Sequence, residues 1–159
     1  MLHLIPLWLA FALTVYAAAV DIRTREVPDW ITIVLLVIGL VSCFLGWYFL
    51  GWHPNKFLYM LAGAAVPAIL GGLMMWQNPE VLGGGDWKLL IGLGAIVGFP
   101  SIMFLFVVMI FAGGAMGLVV MALHHLRGTK RDFPYVPAIT TATFVFAAIQ
   151  SWVALQSSR

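Results

Sequence analysis

Asp21 and Asp86 each stand at the edge of a long apolar run, in AAAVDIRTREVPDW and VLGGGDWKLL. A carboxylate costs about 2.5–3.5 kcal/mol at a bilayer centre, so an acid bordering such a run calls for a reason. Two carboxyls held a few ångström apart cannot both ionise readily. One keeps its proton and can polarise a carbonyl, while the ionised one takes a proton from water. That is the chemistry of an aspartyl protease. The second acid closes Gly83-Gly84-Gly85-Asp86, a G-x-G-D sequence. Its glycines permit unusual backbone angles and let a peptide substrate's backbone approach the carboxylate.

Taken singly, each acid has a plainer reading. Asp21 can be a helix-end acid paired with Arg25 at i+4. Asp86 can be the N-cap of a helix that starts at Trp87. Lys88 either holds Asp86 ionised or snorkels to the membrane interface. Together the two acids say more, because short loops on one membrane face would bring them to the same place.

The elements that must position them are membrane spans. Of 159 residues, 63% are hydrophobic and 9% charged. Soluble domains average about 45–50% apolar and about 25% charged, so this is the composition of an integral membrane protein. About 20 apolar residues cross a bilayer. Leu4–Val20, Ile31–Gly51 and Phe57–Trp76 qualify, while Leu89–Leu123 is too long for one crossing. Pro100 disfavours helix at Phe99, which splits that run into a short fourth span, Trp87–Val97, and a fifth, Ser101–Leu123. Ala138–Leu155 makes a sixth. The expected fold is all-α: a single membrane-embedded domain over 1–159, with the first span retained and not cleaved as a signal.

With the N-terminus outside, Arg23, Arg25, Lys88, Arg127, Lys130 and Arg131 fall on cytoplasmic loops, against Lys56 and Arg159 outside, as the positive-inside rule requires. All six acids, Asp21, Glu26, Asp29, Glu80, Asp86 and Asp132, share the cytoplasmic side. Acids contribute little to topology, so their segregation points to a site at that face. The bases form no stripe, which argues against a nucleic-acid partner.

Around both aspartates the chain resembles the type IV prepilin peptidases, G-x-G-D membrane aspartyl proteases. Asp21-Ile22-Arg23-Thr24-Arg25-Glu26-Val27-Pro28-Asp29 is similar to the family's first motif. Gly83-Gly84-Gly85-Asp86-Trp87-Lys88-Leu89-Leu90, followed by Gly92, Gly94 and Gly98, is similar to the second. Phe133-Pro134-Tyr135-Val136-Pro137-Ala138 resembles a third, proline-containing segment. The resemblance implies catalytic Asp21 and Asp86, no cofactor, prepilin-like membrane proteins as substrates, and cleavage of a basic leader at the cytoplasmic face of the cell membrane. Gly83, Gly85, Lys88, Glu26 and Asp29 are the expected substrate contacts. The long members' domain with paired CxxC motifs, which methylates the product, has no counterpart in this sequence. That likens the chain to the short, peptidase-only members of tight-adherence pilus systems or to archaeal preflagellin peptidases. Trp87 replaces the usual small aliphatic residue.

A rival reading is a proton-coupled transporter or channel subunit with Asp21 and Asp86 as relay. It would want acids near the midplane and internal symmetry, and the sequence shows neither. Adjacent His124 and His125 point apart on a helix, so no metal site is expected there. Cys43 reads as a packed small residue. Trp8, Trp47, Trp52, Trp76, Trp87 and Trp152 read as an aromatic belt, and Gly113-x-x-x-Gly117 as a helix-packing signal more often than a dimer code.

Overall fold

A computed structural model describes residues 4–24, 27–50, 55–77, 84–127 and 136–157. It holds six helices: α1 Ile5–Thr24, α2 Asp29–Leu50, α3 Asn55–Gln77, α4 Gly84–Val97, α5 Ser101–Arg127 and α6 Val136–Ser157. Among the described residues, α1, α3, α5 and α6 are long and apolar enough to cross a bilayer, and α2 is an apolar helix of 22 residues. With 14 residues, α4 reaches only about 21 Å, well short of the roughly 30 Å of hydrocarbon.

The helices outrun the apolar segments that signal them. A hydropathy run marks what lipid tolerates, whereas a helix continues until its hydrogen bonding is interrupted. Between Val20 and Thr24 there is neither Gly nor Pro, and the Thr24 hydroxyl donates to the Val20 carbonyl at 3.0 Å. Asp21 is therefore inside α1. At the other acid, α4 begins at Gly84, so Asp86 lies in the first turn and is not the N-cap before Trp87. An acid there still interacts favourably with the helix dipole. Pro137 sits in the first turn of α6, where a missing N–H costs nothing; Pro134 lies outside the described residues.

The break at Gly98-Phe99-Pro100 falls where the sequence places it. Gly98 takes a φ of 71°, the left-handed conformation that glycine adopts without strain. Its N–H donates to the Gly94 carbonyl at 2.8 Å, and the Phe99 N–H turns away to the Tyr59 carbonyl at 2.9 Å. The chain then re-enters a helix at Ser101.

Helix α4 is the centre of the fold. From Gly85 to Gly98 only Lys88 is exposed, which is how a helix apolar on all sides is accommodated. It packs mainly on α2 and α3, while α6 packs on α1 and α5. These two groups meet along a thinner seam, where α1 touches α2 and α4, and α4 touches α5. The approach of α3 to α4 is close enough that a Cβ at Gly94 would overlap the Gly63 carbonyl oxygen, and one at Gly63 would overlap that of Gly94.

Two expectations are corrected. Trp87 does not belong to the aromatic belt: it is 7% exposed, and its indole fills the space that Gly71 of α3 leaves open. The central position of α4 buries what hydropathy alone puts at an interface. The Gly113-x-x-x-Gly117 seam does not close within the chain at Gly117, since a Cβ there would meet nothing within 4 Å. Helix α5 is held chiefly by α6, and that packing leaves open space at Gly117.

Candidate active site

On α1 the buried positions are Leu7, Ala10, Thr14, Ala17, Ala18 and Asp21. Steps of three and four make this one face of a helix, and Asp21 is its last member. Ala17 and Ala18 are small enough to let a neighbouring helix come near. On α4 the first turn carries Asp86 into the core. Asp21 is 8% exposed and Asp86 9%. Each acid belongs to a different helix group, so the two face one another across the seam.

They interact. Burial pushes the Asp86 carboxyl up from 3.8 to about 7, and the charge of Asp21 pushes in the same direction. Asp86 precedes the apolar run of α4 and lies outside the four crossing helices. A pair coupled in this way holds one proton between two carboxyls near neutrality, and its titration belongs to the pair. The arrangement can therefore offer an acid and a base together.

The sign of the shift fixes a stability test. With its folded value raised, Asp86 contributes stability that is full below 3.8 and lost as pH rises through about 7. Melting temperature in detergent should fall across that window, and Asp86→Asn should flatten the fall. An unchanged pH dependence in the variant would count against a buried, protonated Asp86.

The other expected site residues are distributed unevenly. Asp29 and Lys88 pair with each other at 2.6 Å, with side chains 68% and 50% exposed. The Lys88 ammonium thus goes to α2, in place of the expected contact with Asp86 or free snorkelling. An exposed pair of this kind is worth about 0–1 kcal/mol, and it ties the start of α2 to the first turns of α4. Gly83, Glu26 and Arg25 lie outside the described residues. At Gly85 a Cβ would sit 2.8 Å from Cβ of Val27 and 3.2 Å from its backbone nitrogen. Its φ is not among the positive ones, so the glycine serves close approach and not unusual geometry.

Val27 is a residue the sequence reading left without a role. It braces the first turn of α4, and its place before Pro28, which holds it extended, was the available signal. Gly85→Ala should displace that turn and Asp86 with it. We expect roughly tenfold slower turnover, partly restored by Val27→Gly, because the two share one contact. Full activity in Gly85→Ala would show that the contact does not aim the carboxyl.

Among the described residues, no group of three or more His, Cys, Asp or Glu could hold a metal ion.

Residues 8–118, which include both aspartates, match the type IV leader peptidase family. The chain belongs to that family. It is 28% identical over 159 residues to a prepilin leader peptidase/N-methyltransferase of Aeromonas salmonicida, covering 93% of this chain and 46% of that protein. A prepilin leader peptidase/N-methyltransferase of Dickeya chrysanthemi is 33% identical over 110 residues, 64% of this chain and 35% of the relative. A preflagellin peptidase of Methanococcus maripaludis is 35% identical over 83 residues, 52% of this chain and 34% of the relative. The chain thus spans about half the length, or less, of these relatives. No solved structure matches it. Family membership together with four crossing helices makes this a multi-pass membrane protein.

Proposed function

We propose that the protein is a membrane aspartyl endopeptidase that removes the basic leader from type IV prepilin-like proteins at the cytoplasmic face of the cell membrane. The observation that supports this best is the pair of buried carboxyls, Asp21 and Asp86, brought by separate helix groups to one end of the bundle and electrostatically coupled there. In this reading the ionised carboxyl takes a proton from water as the water oxygen attacks the scissile carbonyl carbon. The protonated carboxyl donates to the carbonyl oxygen. Collapse of the tetrahedral intermediate returns a proton to the departing amine and restores the dyad.

The short α4 suits this work. At 14 residues, about 21 Å, it falls short of the hydrocarbon thickness and would thin the barrier between water and the carboxyls. A substrate's apolar helix would lie against the bundle with its basic leader among Glu26, Asp29, Glu80 and Asp132, close to Gly83, Gly85 and Lys88. The same names recur in its relatives, which are called prepilin leader peptidases and a preflagellin peptidase. A proton relay would use the same two acids, but no structural feature favours it. Co-expression with candidate prepilins, with leader removal read on a gel, tests the proposal. Intact leaders across the cognate pilins of the same genome would overturn it.

The proposal includes six crossings with the N-terminus outside. Position 25 and position 130 should then be labelled by a thiol reagent from the cytoplasm, and position 56 only from outside, when cysteines are placed there in a Cys43→Ala background. Labelling of position 25 from outside would invert the orientation and remove the cytoplasmic site.

A further inference from the structure

Asp86 lies between two points at which one short segment holds α4. Val27, two residues before α2, is what a Cβ on Gly85 would run into, at 2.8 Å from the Val27 Cβ. Asp29, which opens α2, accepts a hydrogen bond from the Lys88 ammonium at 2.6 Å. Gly85 directly precedes Asp86 and Lys88 follows it by two positions, all in the opening turns of α4. The apolar contact sets how closely the segment approaches, and the ionic one keeps it from swinging away.

The segment between these contacts is stiff. Pro28 has a fixed φ and holds Val27 extended. The Ile31 N–H donates to the Pro28 carbonyl at 3.1 Å, so α2 starts directly behind the proline. The other carboxyl is tied to the same segment through the chain, because Asp21 stands six residues before Val27, in the last turn of α1. Lys88 does not act on Asp86 directly. Residues two apart on an α-helix are turned about 200° from each other, and the Lys88 side chain is half exposed where Asp86 is buried. Asp29 is more exposed still, so its carboxylate can keep Lys88 and also meet a cation of the leader.

We propose that Asp29 and Lys88 are positioning residues for the dyad: their ion pair, with Val27 against Gly85, holds the first turn of α4 so that the Asp86 carboxyl meets Asp21. This role rests on the peptidase reading and adds to it. A misplacement of about 1 Å can cost on the order of 100-fold in rate. A surface pair that contributes little to stability therefore matters for turnover when it sets the aim of a reacting group.

The full chain is assayed in detergent on a prepilin-like substrate that the unaltered protein cleaves. Lys88→Met and Asp29→Asn should each lower kcat about tenfold, and the double variant should be no slower, because both remove one interaction. Lys88→Met leaves Asp29 to the leader, so its KM should not rise. Lys88→Arg should stay within about twofold of the unaltered chain, since it keeps the charge. The reversed pair, Asp29→Lys with Lys88→Asp, should be at least about threefold faster than either single variant. Melting temperature near neutrality should change by less than about 4 °C. A second readout needs no substrate. Displacing the turn relieves Asp86 of burial and of Asp21, so in Lys88→Met the pH at which its stability contribution is lost should move down from about 7. Loss of a nearby cation alone would move it up. An unchanged kcat in both single variants, an upward or absent pH shift in Lys88→Met, or a raised KM with kcat kept would each overturn the positioning role. Should Lys88→Met fail to fold, Asp29→Asn and the reversed pair decide by kcat. Failure of the unaltered protein to cleave any cognate prepilin would instead remove the peptidase reading, and this role with it.

Discussion

Asp21→Asn and Asp86→Asn are each expected to abolish leader cleavage while the protein remains inserted and folded. Asparagine keeps the shape of the side chain but can neither take a proton from water nor stand as the acid. In a concerted unit, removing one member costs nearly as much as removing both. Each single variant should therefore lose on the order of 10³-fold or more, and the double variant should be little worse. Folding should survive, since the Asp86 carboxyl is held up to about 7 by burial and by its neighbour, and a neutral amide removes that electrostatic cost. The measurement is leader removal alongside melting temperature for all three variants. Substantial cleavage by either single variant would sink the dyad, and additive losses would show that the two acids work separately.

Gly94→Ala should damage the fold strongly. The new Cβ would overlap the Gly63 carbonyl oxygen and sit 3.1 Å from Cγ of Pro67. The obstruction is backbone, so no side-chain rotation relieves it, and α3 must move away from α4 along their length. Overpacking of this sort costs about 1–3 kcal/mol and sometimes more. For a chain of this size, about 3 kcal/mol corresponds to a melting temperature lower by roughly 6–12 °C. Asp86 rides on the same helix, so turnover should fall as well. Gly72→Ala and Gly114→Ala provide the contrast, because a Cβ at either meets nothing within 4 Å. Both should be neutral or gain up to about 1 kcal/mol from helix propensity. Similar melting temperatures for Gly94→Ala and Gly114→Ala would show that the helices are not in close contact at Gly63.

These contrasts mark the limit of what glycine spacing conveys. Gly63, Gly94 and Gly114 look alike in a sequence, and so do a Trp at a span end and a Trp in a core. Hydropathy is a one-dimensional property and puts Trp87 at the interface, whereas its burial on Gly71 depends on a helix distant in sequence. Gly113 and Gly117 have the spacing of a packing seam, yet nothing lies within 4 Å of a Cβ placed at Gly117. Lys88 stands two residues from Asp86, but its ammonium is drawn to Asp29 on another helix.

The sequence by itself determined the helical, membrane-embedded character of the chain, the break at Gly98-Phe99-Pro100, and the pair of acids at the edges of apolar runs that the proposal uses. Those follow from local causes: a run of side chains that water disfavours, a backbone that cannot stay helical before proline, and carboxylates at the edges of apolar runs. Tertiary structure alone decided that α4 is central, that Asp21 and Asp86 come from different helix groups, and that Val27 fills the space at Gly85. Helix phase already put Asp21 on the small-residue face with Ala17 and Ala18. Which helix meets that face is set by side-chain fit between segments far apart in the chain, and no local pattern records it.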